Sequence, residues 1–315
     1  MMENGHGLPI DTSHPAVRDY LALVRLQVLT PLSLLINMAT LMVCSLVMDP
    51  SIAKISKLYP ASIAPSPRMI GIYIIAIYIG QIGYCVLLVV VRKPETKRAL
   101  VRGVGLPLVF ANWVMAGWAI AWLFQSFLAS TILLGILLVL LIYANVVLLI
   151  YHAPTFERPF DIALIHAPLR AFLILPLGVL FPYSLFVTLG WTWSPGEPQH
   201  YARAQWPGFG IVLGVNLLGL AVIIFRRDIV WCVAASWICA SIWTLKPKPF
   251  PVFITVMIFT FVHPLALVVS ALWVRLRGTR RRGPIALPPD EEEGVTPRQG
   301  QLRGAREVDA EALWG

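Results

Sequence analysis

The side chains best suited to recognise a small molecule lie close together between Phe110 and Phe124. This stretch has no charged residue, and it combines several aromatic rings with the amide of Asn112. Such rings stack on flat apolar molecules, and an amide adds a hydrogen bond. On a helix, one face of the stretch would carry Ala111, Met115, Trp118 and Trp122. A second face would carry Trp113, Gly117, Ala121 and Phe124. The spacing therefore predicts either a ligand-binding surface or a face on which another helix packs.

Catalytic chemistry has no comparable support in the sequence. No Asp, Glu or Lys lies deep inside an apolar segment, although such residues usually mark proton relays and ion pathways in membranes. Neither a paired Ser and His nor a Gly-x-Ser-x-Gly motif can be assigned. The sequence therefore predicts a protein that is not an enzyme, with no catalytic residue and no cofactor.

A few uncharged polar side chains nevertheless interrupt the apolar segments, and these are Asn37, Gln81, Asn112, Asn145, Asn216 and His263. Each one predicts a hydrogen bond between neighbouring helices, which contributes about 0.6–2 kcal/mol in a membrane. Asn112 and Asn145 are in addition candidate ligand contacts, and Asn112 has the stronger case because it adjoins the aromatic rings.

A charged group lies near the start of another apolar segment and consists of Asp161, His166 and Arg170. His166 and Arg170 are one helical turn apart, so they share a face. The group could form a gate or a site for a polar head group. The alternative is an interfacial charge network that caps the helix, with Asp161 near its start.

The composition predicts the class of protein. Of the 315 residues, 58% are hydrophobic and only 13% are charged, whereas soluble domains carry about 25% charged residues. The apolar residues form long runs, which predict an all-α polytopic bundle of transmembrane helices in the lipid bilayer. The net charge of +9 fits the excess of Lys and Arg in cytoplasmic loops, and no nucleic-acid partner is expected.

The cysteines give no indication of a metal site or a disulfide framework. All of them lie inside apolar runs, and these are Cys44, Cys85, Cys232 and Cys239. A disulfide scaffold places its cysteines in polar segments, and zinc sites show close Cys and His spacings. We therefore expect reduced, structural cysteines and no bound metal.

The apolar runs predict about eight spans, at residues 26–48, 69–91, 106–124, 128–151, 168–189, 208–225, 229–245 and 250–274. The bundle would cover residues 21–276, flanked by disordered tails at 1–20 and 277–315. Pro176 and Pro182 would kink the fifth span. With eight spans, most Lys and Arg residues lie on the side that holds both ends of the chain, which predicts cytoplasmic termini.

Several segments resemble, in order, those of the tryptophan-rich sensory proteins, the TspO/peripheral benzodiazepine receptor group. The residues that carry the resemblance are Asn112-Trp113 with Trp118 and Trp122, Pro65-Ser66-Pro67, Leu175-Pro176 through Pro182-Tyr183, and Asp228 with Trp231 and Trp237. The likeness covers about residues 64–245 and is closest to the longer multi-span relatives, including membrane proteins of fungi. The chain departs from the pattern at Phe186 and Tyr73, where the family has tryptophan, and at Gly190-Trp191, where it has asparagine.

The resemblance implies a pocket for tetrapyrroles, sterols and related flat apolar molecules. Its implied contacts are Asn112, Trp113, Trp118, Trp122 and Tyr183. We therefore expect a membrane protein that binds or passes a flat hydrophobic ligand. The alternatives are a polar-solute transporter that uses the kinked fifth span, and a membrane scaffold whose charged C-terminal tail recruits partners. The sequence does not predict an oligomeric state.

Overall fold

The computed structural model describes residues 15–91, 93–152 and 159–281, and these residues fold almost entirely into helices. The helices are α1 Pro15–Met42, α2 Ile52–Leu58, α3 Pro67–Val90, α4 Pro94–Arg98, α5 Gly105–Leu123, α6 Phe127–Tyr151, α7 Pro159–Thr188, α8 Gln205–Arg226, α9 Ile229–Trp243 and α10 Phe250–Arg281. Wide π-helical turns extend α1 over Val43–Val47 and join α4 to α5 over Ala99–Val104. The predicted all-α bundle is confirmed.

Within the described residues, seven helices are long and apolar enough to cross a membrane, and they correspond to seven of the predicted spans. The predicted span at 229–245 forms α9, which has only 15 residues. At about 1.5 Å per residue, α9 is about 22 Å long, which is less than the roughly 30 Å of a bilayer core. Its N-cap residue Asp228 contacts Arg170 of α7, and near its other end the Ser241 carbonyl accepts a hydrogen bond from the Ser66 amide before α3.

Helix α7 is continuous but irregular, as its prolines predict. It begins at Pro159, nine residues before the predicted start of the span. Its two π-helical turns, Ile162–His166 and Pro176–Leu180, each end two residues before a proline, Pro168 and Pro182. Proline has no amide hydrogen and its ring crowds the carbonyl four residues earlier, and a wider turn relieves that crowding.

The two most buried spans are α5 and α7, with 50% and 67% of their apolar windows inside the bundle. Helix α5 packs mainly against α1 and α6. Its predicted first face is buried: Ala111, Met115, Trp118 and Trp122 are at most 5% exposed. Helix α7 approaches α3 closely because glycines face its bulky side chains, Gly80 opposite Pro168 and Gly83 opposite Leu164.

The connections at one end of the bundle are tied together, and we call this end the α2 end. It contains α2 and the connections before α3, after α7 and between α9 and α10. The Trp193 amide donates to the carbonyl of Pro60, and Ala61 forms an antiparallel bridge with Thr192. The loop before α3 is therefore held against the loop after α7.

The compact bundle ends at Trp273, and the described part of the chain beyond it continues α10 to Arg281. At the other terminus α1 already begins at Pro15, so part of the predicted N-terminal tail is helical. The remaining predicted tail residues, 1–14 and 282–315, lie outside the described residues.

The cytoplasmic placement of both termini stays a prediction, and glycosylation mapping tests it. An Asn-x-Thr acceptor placed in the 190–204 connection should be glycosylated in microsomes, because this loop would face the lumen. An acceptor placed in the basic 92–104 connection should remain unmodified. The reverse pattern would contradict the predicted orientation.

Candidate functional site

A cavity of about 190 Å³ lies at the α2 end, within the bundle. Its walls come from α1, α2, α3, α5 and α7, and they are mostly apolar. The lining residues are Leu41, Ser45, Ile52, Ala53, Ser56, Pro65, Pro67, Ile70, Gly71, Ile74, Trp118, Trp122, Leu180 and Tyr183. We call it the aromatic cavity, because three of the predicted ligand contacts, Trp118, Trp122 and Tyr183, line it.

The aromatic wall of this cavity follows from the spacing in α5 and the approach of α7. Trp118 and Trp122 are four residues apart, so their rings lie one above the other on one helix face, with centroids 6.3 Å apart. The Tyr183 ring of α7 packs at 5.4 Å from that of Trp122. Phe127, at the start of α6, meets the other side of Trp122 edge to face at 5.3 Å. The indoles are thus held in fixed positions.

Both indoles also carry a hydrogen-bond donor that the protein leaves unused. The Nε1 atoms of Trp118 and Trp122 are buried and have no partner among the described residues. The side chains are only 5% and 1% exposed. A buried indole N–H usually finds a partner, and leaving it unpaired costs about 1–3 kcal/mol. A ligand oxygen in the cavity could supply the missing acceptor.

Helix α2 forms one wall of the cavity and is held in place by hydrogen bonds from Tyr183. The Tyr183 hydroxyl donates to the carbonyls of Ser56 and Tyr59, at 3.0 and 2.9 Å. Ser51 caps the start of α2 by accepting from the Lys54 amide. Tyr59 is held in turn, since its hydroxyl donates to Gln125 Oε1 at 2.8 Å. Tyr183 therefore both lines the cavity and anchors α2, which forms another of its walls.

Asn112 lies outside the cavity lining, at the centre of a buried chain of amides. Asn37 Nδ2 of α1 donates to Asn112 Oδ1 at 3.0 Å, and Asn112 Nδ2 donates to Gln81 Oε1 of α3 at 2.9 Å. All three side chains are at most 2% exposed. The ends of the chain, Asn37 Oδ1 and Gln81 Nε2, have no partner among the described residues. These three amide side chains join α1, α5 and α3 by the hydrogen bonds between helices that the sequence predicts.

Two other predicted ligand contacts lie away from the aromatic cavity. Trp113 is 42% exposed and packs edge to face on Phe110, on the outer side of α5. Asn145 of α6 donates to the carbonyls of Leu141 and Leu169. It therefore connects α6 to α7 through backbone atoms. The structure brings together Trp118, Trp122 and Tyr183 but not Trp113, Asn145 or Asn112.

The predicted charged group of Asp161, His166 and Arg170 is divided between different partners. Asp161 accepts from the Thr96 hydroxyl at 2.9 Å. Arg170 forms a buried ion pair with Asp228 at 2.6 Å. His166 is buried on the helical turn before Arg170. Because α7 begins at Pro159, Arg170 lies about 16 Å along the helix rather than at its start, so the three side chains do not form one interfacial network.

The Asp228 carboxylate has a second role besides pairing with Arg170. Its other oxygen accepts from the amides of Val230 and Trp231, which caps the first turn of α9. The same carboxylate therefore starts α9 and neutralises an arginine inside the bundle.

A second cavity, of about 260 Å³, adjoins the first at the α2 end. We call it the lysine cavity, and its lining residues are Ser56, Lys57, Pro60, Ala61, Ala64, Pro65, Pro67, Trp193, Pro195, Leu245, Lys246, Pro247 and Lys248. Lys248 Nζ donates to the carbonyls of Ala61 and Ala64, at 3.3 and 2.6 Å. Burial lowers the pKa of Lys248 to about 7.

Sequence reasoning missed the lysine cavity. The Lys-Pro-Lys-Pro run at 246–249 lies between the predicted spans 229–245 and 250–274, where charged residues are expected to be solvated. The available signal was the pair of lysines that alternate with two prolines, at the same predicted end of the bundle as Lys57.

The departures from the resembling family's pattern have local explanations. Phe186 is fully buried and packs edge to face on Trp191 at 5.0 Å. The Tyr73 hydroxyl donates to the Ala171 carbonyl at 2.8 Å and joins α3 to α7. Neither residue lines the aromatic cavity, so both substitutions affect helix packing.

Comparison with known proteins agrees with the resemblance. No curated protein and no solved structure is significantly similar to the chain. The profile of one family, described as TSPO-like protein, matches residues 26–273. That match begins in α1 and ends in α10, so it includes the first and last spans as well as 64–245. Together with the apolar helices, it identifies an integral, multi-pass membrane protein. The chain belongs to the family of TSPO-like proteins.

Proposed function

We propose that the protein binds a hydrophobic small molecule that carries a hydrogen-bond acceptor, in the aromatic cavity and without catalysing a reaction. The observation that supports this most directly is that Trp118 and Trp122, whose side chains line the cavity, each have a buried indole N–H without a partner among the described residues. The apolar walls would hold the body of the ligand, and the indoles would orient its oxygen. Family membership supports a hydrophobic ligand.

The size of the aromatic cavity limits what it holds in this conformation. A cavity of about 150 Å³ accommodates one benzene molecule, so 190 Å³ suits one or two small rings or a short chain. A whole tetrapyrrole or sterol would require α2 or the neighbouring loops to move. The ligand we propose is therefore smaller than those, or extends beyond this cavity.

The contacts give less support to the alternative functions. A polar-solute transporter would use the kinked fifth span with Asp161, His166 and Arg170, but Asp161 bonds to Thr96 and Arg170 is neutralised by Asp228. A scaffold would act through the C-terminal tail, which lies outside the described residues.

Two naphthalenes of matched shape test the proposal. Purified protein in a neutral detergent should bind 2-acetylnaphthalene saturably and more tightly than 2-ethylnaphthalene, which lacks an acceptor. The double variant Trp118→Phe/Trp122→Phe keeps an aromatic ring at each position but removes both N–H donors. It should weaken binding of the acetyl compound about tenfold, from a net hydrogen-bond contribution of about 0.5–1.5 kcal/mol, with the ethyl compound nearly unchanged.

Equilibrium dialysis against protein-free micelles separates binding from partition into detergent. Trp113→Phe is the matched control, because this indole lies on the outer side of the same helix, and it should behave as wild type. Equal, unsaturable uptake of both compounds by wild type and the double variant would contradict the proposal.

A further inference from the structure

The two cavities at the α2 end share part of their walls. Ser56, Pro65 and Pro67 line both of them. One cavity is apolar and aromatic, whereas the other carries the amines of Lys57, Lys246 and Lys248. Neither cavity alone reaches the range of about 300–1,000 Å³ that is usual for small-molecule sites, but together they do. A ligand that used both would pass the shared residues and would have one apolar end and one polar end.

Among the residues that the structure describes, the lining of the lysine cavity has cations but no carboxylate. The described carboxylates at this end of the bundle are engaged elsewhere, Asp49 with Lys54 and Glu197 with His200. The other two amines of the cavity are themselves cations and cannot neutralise Lys248. Lys246 lies over the Phe253 ring at 5.9 Å, and Lys57 is exposed. Lys248 is partly buried and has no carboxylate partner among the described residues of the lining, whereas charges removed from water are normally paired.

The Lys248 amine is placed to receive an anion. An ammonium group has three donors, and the two loop carbonyls use two of them. The third is available to a ligand, and a lysine suits a compact oxyanion because it acts as a point charge. Its lowered pKa has the same origin, because burial without a counter-ion disfavours the charged form. A bound anion would stabilise the protonated amine.

We propose that the aromatic and lysine cavities form one site for an anionic amphiphile, with its apolar part against Trp118 and Trp122 and its anionic head at Lys248. The head is a carboxylate or a phosphate monoester, since both offer a compact oxyanion to the amine. Lys57 and Lys246 add charge near the head. This inference rests on the proposed function, because the apolar part occupies the aromatic cavity.

Ten-carbon ligands with different heads test this inference. Decanoate and decyl phosphate should bind to purified protein in neutral detergent at least tenfold more tightly than decanol at pH 7. Lys248→Met should remove that advantage and leave decanol binding unchanged. Lys248→Arg should keep most of it, because the charge is retained. Lys54→Met is the matched control, since Lys54 lies on the same short helix α2 but pairs with Asp49 outside both cavities, and it should bind like wild type.

The variants and ligands separate the possible failures. If Lys248→Met loses its fold, as judged by thermal unfolding, the double variant Lys57→Met/Lys246→Met provides the test. Its affinity for decanoate and decyl phosphate should fall threefold or more, with decanol binding unchanged. Saturable binding of all three ligands with equal affinity would overturn the anionic site and leave the proposed function intact. If none of the three ligands binds saturably, both the anionic site and the proposed function are overturned. A preference between decanoate and decyl phosphate identifies the head group, and acetate should not compete, because it lacks the apolar part.

Discussion

Replacing Asp228 with asparagine is expected to lower the free energy of unfolding by about 3–5 kcal/mol, the usual cost of removing one partner of a buried ion pair. Asparagine caps a helix about as well as aspartate, so the amides of Val230 and Trp231 keep an acceptor. The loss would therefore come from the charge of Arg170, which is left unpaired inside the bundle. Unfolding of the purified protein in mixed micelles, followed by tryptophan fluorescence, measures it.

A double variant and a surface control make this expectation specific. Arg170→Met combined with Asp228→Asn should recover much of the loss, because replacing both charges of a buried pair is often nearly neutral. Glu197→Gln removes a carboxylate from the exposed pair with His200, and it should change the stability by less than about 0.5 kcal/mol. If Asp228→Asn costs no more than Glu197→Gln, the pair does not stabilise the bundle.

Replacing Asn112 with leucine is the second change with a large expected effect, a loss of about 2–6 kcal/mol in the free energy of unfolding. The substitution leaves Asn37 Nδ2 and Gln81 Oε1 without partners, and each unpaired buried group costs about 1–3 kcal/mol. The affinity for 2-acetylnaphthalene should stay within a factor of two, because Asn112 does not line the aromatic cavity. The same unfolding and dialysis measurements give both quantities.

Two further variants distinguish a structural role of Asn112 from a binding role. The triple variant Asn37→Leu/Gln81→Leu/Asn112→Leu leaves no polar member of the chain unpaired, so it should be more stable than Asn112→Leu alone. Asn145→Leu is the control, since its donors reach only backbone carbonyls, and it should cost about 1 kcal/mol. A tenfold loss of ligand affinity in Asn112→Leu, with little loss of stability, would assign Asn112 to the ligand site instead.

The local part of the site could be predicted from the sequence. Four-residue spacing is sufficient to place Trp118 and Trp122 on one face of a helix, and that face is buried as expected. The approach of Tyr183 could be anticipated only through the family resemblance, because no periodicity within one helix reports which other helix packs against it. The aromatic wall combines both kinds of information.

The long-range part of the site could not be predicted. Arg170 and Asp228 are 58 positions apart, and in the sequence the nearer partner for Arg170 was Asp161, which bonds to Thr96 instead. The lysine cavity depends on how loops from three connections meet at the α2 end. Charged residues between spans are expected to be solvated, so no pattern around Lys248 predicts a partly buried amine there.

The short length of α9 has a consequence for the surrounding bilayer. Ile229 and Val233 of α9 are largely exposed, so the first turns of this helix present side chains to lipid, and the helix is only about 22 Å long, next to much longer neighbours. Such hydrophobic mismatch is usually relieved by thinning of the membrane or by tilting of the helix. Here the Arg170–Asp228 pair neutralises the buried carboxylate at the start of α9 from within the protein. The lipid therefore need not deform to hydrate that carboxylate. Because seven described helices are long enough to span a bilayer, we expect their length, and not that of α9, to determine which membrane thickness suits the molecule.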